Sequence, residues 1–435
     1  LNKKLTMVKT QTIAYLLFTL LVFACKNEPQ KQAATATPSI HADAAISLPE
    51  GFSASVFADS LGGRGRHIAV RANGDVYVQM SRLHDGKGLA ALRDMDGDGR
   101  ADEIGYFGGH DGTGMAIVGN ELYCSSDQAV FRYMLMEGQL LPQENSRIMV
   151  VGGFPNQREH ASKSIALDGA GNLFVNVGAP SNACQVDNRS AGSPGQDPCP
   201  ILEVGGGIWR YDASKTAQQF KDGSRYASGI RNAVALDWNK SANSLFALQH
   251  GRDQLSEFWP NLFSPDQNAE LPAEEFFQIN EGDFFGWPYC YFDPLQNKKV
   301  LAPEYGGDGQ QTGRCDSAKT PIVAFPAHLA PNDLVFYDGN MFPERYRNGA
   351  FVAFHGSWNR SPQEQKGFYV VFVPFKDGKV AGDWEVFADG FAGVKPIPSP
   401  GDAKHRPTGL AIGPDGALYV CDSVKGKIWK ITYKA

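Results

Sequence analysis

The chain has 435 residues, 11% of them aromatic, with 48 Gly and 26 Pro, so it can bury a large core but is punctuated too often for long helices. A formal net charge of -6 argues against nucleic acid as a partner. Apolar residues at helical spacing are confined to the first 25 residues, whereas short β-branched or aromatic runs ending in Gly, Asn or Asp recur through the rest, which predicts an all-β fold.

In chain order, translation is expected to begin at Met7, because Lys9 followed by the apolar run Ile13 to Ala24 has the charged start and short apolar stretch of a signal peptide. That run is short for a membrane span. It ends in Val22-Phe23-Ala24-Cys25, which resembles the lipobox of bacterial lipoproteins, so Cys25 is the expected acylation site. The expected organisation is a signal peptide over 1–25, a flexible linker over 26–45 rich in Ala, Thr, Gln and Pro, and one domain over 46–435. This places the protein outside the cytoplasm, lipid-anchored to a bacterial membrane in the periplasm or at the cell surface.

One phrase then recurs six times: an apolar strand, a tight turn, and a second strand ending in a polar loop. The copies start at His67, Thr113, Ser164, Ala233, Asp333 and Gly409 and close with Val78, Cys124, Val175, Ala247, Val352 and Val420. Turns such as Asn73-Gly74, Gly171-Asn172 and Pro414-Asp415-Gly416 suit antiparallel hairpins. A hairpin cannot bury both faces alone, but radial repetition of four-stranded sheets can, so the expected fold is a six-bladed β-propeller of four-stranded antiparallel blades. Divided by six, the chain after Cys25 gives roughly 68 residues per blade, above the ~40–45 of a minimal blade. The surplus is expected in loops, chiefly between blades four and five over residues 252–330. Phe52 to Ala58 is expected to add an outer strand to the last blade and close the ring.

Within the first blade, Asp94-Met95-Asp96-Gly97-Asp98-Gly99-Arg100-Ala101-Asp102 places carboxylates at alternate positions around a glycine turn, a pattern suited to calcium. The twelfth position is Gly105 rather than the Glu of an EF-hand, so Asp94, Asp96, Asp98 and Asp102 are expected to brace a loop. Export makes disulfides stable. Cys184 with Cys199, and Cys290 with Cys315, each close a local loop and are the expected pairs, leaving Cys124 and Cys421 as buried thiols. Polar clusters follow the repeats at positions that should meet at one mouth: His110-Asp111, Arg158-Glu159-His160, Arg231-Asn232, His250 to Asp253, Trp358-Asn359-Arg360 and His405-Arg406. Several Arg and His residues converging in an acidic protein point to an anionic ligand.

In this order, Glu159-His160, Gly229-Ile230-Arg231-Asn232, Gln249-His250-Gly251, Asn280 to Tyr289, Cys290 through Ala302-Pro303-Glu304-Tyr305 to Cys315, Phe354 to Arg360 and Arg406 to Leu410 resemble the sorbosone-dehydrogenase and soluble glucose-dehydrogenase family of pyrroloquinoline quinone (PQQ) propellers. The resemblance covers nearly the whole domain. It implies oxidation of a sugar, sugar aldehyde or polyol with PQQ and calcium as cofactors, and a separate electron acceptor such as a quinone or soluble cytochrome. His160 would be the general base, and Arg231 and Asn232 would contact the quinone edge, with Arg231 stabilising charge on the quinone oxygen. His110, Arg360 and Arg406 would hold the cofactor, with Trp358 on the sugar face. The main-chain carbonyls of Gly251 and Arg252 would hold a catalytic calcium. Glu159 stands where the glucose-oxidising branch has Asp, and Arg252 where it often has Pro. Two other functions compete: a calcium-dependent lactonase, which needs several carboxylates and amides on one ion, and a non-catalytic carbohydrate-binding propeller.

Overall fold

The computed structural model describes residues 46–434 and the short strand Ser39–Ile40. The expected signal peptide, Cys25 and most of the linker lie outside these residues. Among the described residues no helix is long and apolar enough to cross a membrane.

Each repeat forms the inner hairpin of one blade. Blade one is built from Gly65–Val70, Val76–His84, Lys87–Arg93 and Glu103–Phe107, and blade two from Met115–Val118, Glu121–Ser125, Ala129–Met134 and Ile148–Gly152. Blade three uses Ile165–Leu167, Asn172–Val177, Gly207–Asp212 and Ser224–Ser228; blade four uses Ala235–Asn239, Ser244–Gln249, Glu274–Ile279 and Val323–Phe325. Blade five follows with Pro331–Phe336, Ala350–Phe354, Tyr369–Val373 and Glu385–Ala388. Blade six contains Pro407–Ile412, Leu418–Asp422 and Ile428–Tyr433, and Phe52–Ala58 pairs antiparallel with Ile428–Tyr433 as its outer strand. The ring is therefore closed by joining the two ends of the described chain, as the sequence predicted.

Two details differ from expectation. Blades two and three each gain a short fifth strand, Gln218–Gln219 and Asp283–Phe284, which pair in parallel with Ile148–Gly152 and Ser224–Ser228. The surplus over 252–330 is also not a simple inter-blade insertion, because it contains blade four's own outer strands. In blade four the outer strands lack the tight turn that made the inner hairpins visible, so they escaped the repeat search.

Central strands such as Ser244–Gln249 and Ala350–Phe354 are buried at every position. Both of their faces pack on neighbouring blades, which is why they read as continuous apolar runs rather than alternating ones. Phe246 and Phe276 of blade four share one cluster with Phe336 and Phe354 of blade five, and burying each such side chain stabilises by about 1.5–3 kcal/mol.

Within each blade the first two strands are antiparallel, so the start of the first and the end of the second share one end, the mouth. The tight turns lie at the other end. An axial channel of about 750 Å³ is lined by the inner strands, among them His67 to Val70 and Asp333 to Asp338, and extends to turn residues such as Gly119, Gly169 and Lys240. Carboxylates stitch these inner edges together: Asp237 Oδ2 accepts the Phe336 N–H at 3.0 Å, and Asp333 Oδ2 accepts the Leu410 N–H at 2.7 Å. The calcium-type loop is also at the turn end, since Arg93 beside it pairs at 2.7 Å with Asp75, which follows the Asn73-Gly74 turn.

Candidate active site

At the mouth, the loop between blades two and three carries His160 with φ at 53°, a left-handed backbone that a non-glycine residue adopts only when its surroundings hold it. The Gln157 side chain supplies that hold, its Nε2 donating to the carbonyls of Glu159, His160 and Gly178, each at 2.9 Å. Gly178 must be glycine here, because a Cβ would lie 2.6 Å from His160 Cβ and 2.7 Å from Asn232 Oδ1. His160 Nδ1 lies 2.5 Å from the Ala179 carbonyl oxygen. A carbonyl only accepts, so Nδ1 carries the proton and Nε2 is left with its lone pair. Burial, reinforced by Arg231, pushes the imidazole down to about 3, keeping it neutral and able to take a proton.

Arg231, at the start of blade four, is buried and largely committed to the protein. Nε donates to Asn182 O at 3.3 Å, Nη1 to Gly251 O at 2.9 Å, and Nη2 to Asn182 Oδ1 at 3.0 Å and Asp253 Oδ2 at 2.7 Å. Of five N–H hydrogens one remains for a ligand. Asp253 is the hub of this arrangement, its other oxygen accepting from Asn359 Nδ2 at 2.8 Å. Burial raises its pKa, but Arg231, His328 and Arg189 override that and hold it at about 2. Asn232 Oδ1 accepts from Asn176 Nδ2 at 3.0 Å, which leaves its Nδ2 for a ligand.

Other expected site residues separate into two groups. Arg406 reaches the mouth: Nε and Nη2 donate to the carbonyls of His355 and Gly356 at 2.9 and 2.8 Å, and it makes no ion pair among the described residues. Burial pushes it down to about 10. Trp358 is half-exposed on the rim, next to the Asn359 that holds Asp253. Arg360, by contrast, is fully buried away from the mouth, donating to Ala269 O, Ala327 O and Glu270 Oε1. Its guanidinium braces the helix Pro265–Glu270 rather than facing a ligand. His110 is also turned away, its ring 4.6 Å from Phe131 and its Nε2 3.7 Å from the buried Cys124 thiol.

Sequence reasoning missed Arg66. It lies at the mouth end of blade one, with Nε donating to Thr113 Oγ1 at 3.3 Å and no ion pair among the described residues. Arg66 and Arg406 both depress the buried His355 imidazole, next after the effect of burial itself, so the two guanidiniums share one region. The position was legible in the repeats, since Arg66 immediately precedes the first copy at His67 as Asn232 precedes the fourth at Ala233. Asn182 and Arg189 were missed too, and Asp253, though within the polar cluster expected at the mouth, was given no role; these roles exist only through contacts distant in sequence.

For the expected catalytic calcium, Gly251 O already accepts from Arg231, while Asn359 Oδ1 is a buried oxygen without a partner. At the turn end, Asp94, Asp96 and Asp102 bring oxygens within 4.8 Å of one another, a group that does not include Asp98, and all four carboxylates accept backbone N–H groups of their own loop. Both expected disulfides form, and Cys124 and Cys421 are buried thiols.

The site is thus a cationic mouth on a six-bladed propeller. The model of the TrAA12-like family matches residues 46–434, so the chain belongs to that family. An uncharacterized protein of Borreliella burgdorferi is 26% identical over 303 residues, which are 68% of this chain and 63% of that protein. A pyrroloquinoline quinone-dependent pyranose dehydrogenase of Coprinopsis cinerea is 28% identical over 232 residues, 47% of this chain and 30% of that enzyme. The chain thus spans less than two thirds of either curated relative. Among solved structures, a family AA12 carbohydrate-active enzyme of Trichoderma reesei superposes with a TM-score of 0.71 at 19% identity, over 92% of this chain and 98% of that one, a likeness of fold.

Proposed function

We propose that this protein is a PQQ- and calcium-dependent dehydrogenase that oxidises a hydroxyl or aldehyde-derived carbon of a sugar or polyol. The observation that carries this reading is the pair Arg66 and Arg406, two half-buried guanidiniums at the mouth with no carboxylate within ion-pair distance among the described residues. Carboxylates farther off, Asp127 and Asp333 for Arg66 and Asp422 for Arg406, offset part of their charge, and a polycarboxylate ligand would add direct charge-assisted hydrogen bonds. The Coprinopsis relative, described as PQQ-dependent, supports the choice of ligand.

When bound, PQQ supplies a two-electron acceptor for hydride. Arg66 and Arg406 would bind its carboxylates, and Asn232 Nδ2 and the remaining Arg231 N–H would be the donors offered to its quinone edge. His160 Nε2 takes the substrate hydroxyl proton, and the Ala179 carbonyl keeps the ring in the required tautomer. Trp358 offers an apolar face to the sugar ring at the rim. Calcium is supported by neutral oxygens only, the Gly251 and Arg252 carbonyls and Asn359 Oδ1. A second calcium is proposed at Asp94, Asp96 and Asp102, where it would brace the loop. Lipid anchoring at Cys25 and a separate electron acceptor complete the proposal.

A lactonase would need several carboxylates free to share one ion at the mouth. Among the described residues the acidic group able to do so, Asp94 with Asp96 and Asp102, is at the opposite end. The cofactor reading is tested by titrating PQQ into the purified protein and into Arg406→Ala and Arg66→Ala variants. Saturable binding that weakens in both variants supports it; absence of binding to the wild type refutes it.

A further inference from the structure

Three loops meet at the mouth, and one side chain joins all of them. Arg189 lies in the loop closed by Cys184–Cys199. Its Nε donates to Glu159 Oε2 at 3.1 Å, its Nη1 to Gln254 Oε1 at 2.7 Å, and its Nη2 to Asp253 Oδ2 at 3.3 Å. Glu159 is the residue next to His160, and its second oxygen accepts from Asn188 Nδ2 at 2.9 Å. Asp253 is the carboxylate that holds Arg231. The fork of a single guanidinium therefore ties the turn carrying the base to the loop whose Asp253 holds the quinone-edge arginine.

Backbone geometry marks the same three loops. His160, Cys184, Arg189 and Gln254 all have positive φ, between 52° and 64°, conformations that cost energy for residues with a Cβ and persist only where neighbours hold them. The disulfide loop is itself held from within: Gln185 Oε1 accepts the Arg189 N–H at 3.0 Å, Gln185 Nε2 donates to Ser190 O at 3.1 Å, and Ser181 Oγ donates to Asn188 Oδ1 at 2.9 Å. Arg189 is thus a fixed strut. Neither it nor Glu159 is needed to bury the core, since their side chains are 28% and 30% exposed.

We propose that Arg189 is a positioning residue for the reaction, locking the Glu159–His160 turn against Asp253 so that His160 Nε2 is aimed at the substrate hydroxyl. The proposal rests on the dehydrogenase reading for its functional consequence. Gln157 holds the inner side of the turn and Arg189 its outer side; with the outer strut removed, the strained backbone at His160 can relax and swing the imidazole. Small misplacements of a reacting group are expensive, on the order of 100-fold in rate for about 1 Å. A lysine at the same position keeps the charge but cannot reach Glu159, Asp253 and Gln254 together.

The test compares the wild type with Arg189→Gln and Arg189→Lys in the full chain, using PQQ affinity, steady-state kinetics with sugar, thermal unfolding and amide hydrogen exchange. In Arg189→Gln, kcat is expected to fall by about 10- to 100-fold, with KM, PQQ affinity and unfolding temperature close to wild type. Arg189→Lys should fall between the two. Exchange at residues 157–161 should quicken by about tenfold, as local opening becomes easier. An unchanged kcat, unchanged exchange in this turn, or a loss confined to PQQ affinity would each overturn the proposal. If the wild type shows no PQQ-dependent turnover, the dehydrogenase reading fails instead, and the exchange experiment alone decides whether Arg189 holds the turn.

Discussion

Asp253 accepts from Arg231 Nη2 through Oδ2 at 2.7 Å and from Asn359 Nδ2 through Oδ1 at 2.8 Å, so one buried carboxylate joins blade four to the loop following blade five's second strand. Removing its charge leaves Arg231 buried without a counter-ion. Asp253→Asn should cost about 3–5 kcal/mol of stability, measured by urea unfolding, and should abolish turnover in the fraction that folds.

His160 is pushed down to about 3 by burial and by Arg231. In the cofactor-free protein its ring nitrogens should show no change of protonation between pH 5 and 8 when followed by nitrogen NMR, with the single proton staying on Nδ1; a midpoint near the ordinary histidine value would contradict the burial argument. The folded value lies below the unfolded one, so the stability associated with neutral His160 is complete above about pH 6.5 and is lost as pH falls toward the folded value.

Arg360 and Arg406 looked alike in the sequence but do different work. Arg360→Ala should lower stability by about 1–3 kcal/mol, because it leaves the carbonyls of Ala269 and Ala327 without this donor, while the folded protein still binds PQQ. Arg406→Ala should weaken PQQ by about 10- to 100-fold, the loss of a charge-assisted hydrogen bond of about 1.5–3 kcal/mol, with little change in unfolding temperature.

Asp237 bridges the inner strands of blades four and five, and burial raises it to about 7. Its folded value exceeds its unfolded one, so its contribution is greatest below about pH 4 and declines as pH rises through the folded value. The stability advantage of wild type over Asp237→Asn should therefore shrink from pH 4 to 7 by about 1.4 kcal/mol per pH unit; a constant difference across that range would show that Asp237 titrates normally.

Much of the scaffold was legible because each inner hairpin carries its own turn: Asn73-Gly74 or Gly171-Asn172 announces a blade without reference to the rest of the chain. The closing strand Phe52–Ala58 and both disulfides were legible for similar local reasons. The outer strands of blade four were hidden, since Glu274–Ile279 and Val323–Phe325 are separated by the Cys290–Cys315 hairpin and share no turn. Residue type marked the mouth but not the direction of each side chain. Arg360 and Arg406 both lie in segments expected at the mouth, yet Glu270 captures the first while the second makes no ion pair among the described residues. His110 sits at a loop expected to face the mouth, but Phe131 and Cys124 draw its ring into blade two. Asp253, Asn182 and Arg189 gain meaning only when blades three and four bring them together.

The most direct measurement is dye-linked turnover of the purified protein reconstituted with PQQ and calcium, across aldoses, sugar aldehydes and polyols, with His160→Ala alongside. The expected result is PQQ-dependent oxidation of at least one sugar or polyol, reduced by about 100-fold or more in His160→Ala while PQQ still binds. Tight PQQ binding without turnover on any of these substrates, or equal turnover in His160→Ala, would contradict the assignment of His160 as the base of a sugar dehydrogenase.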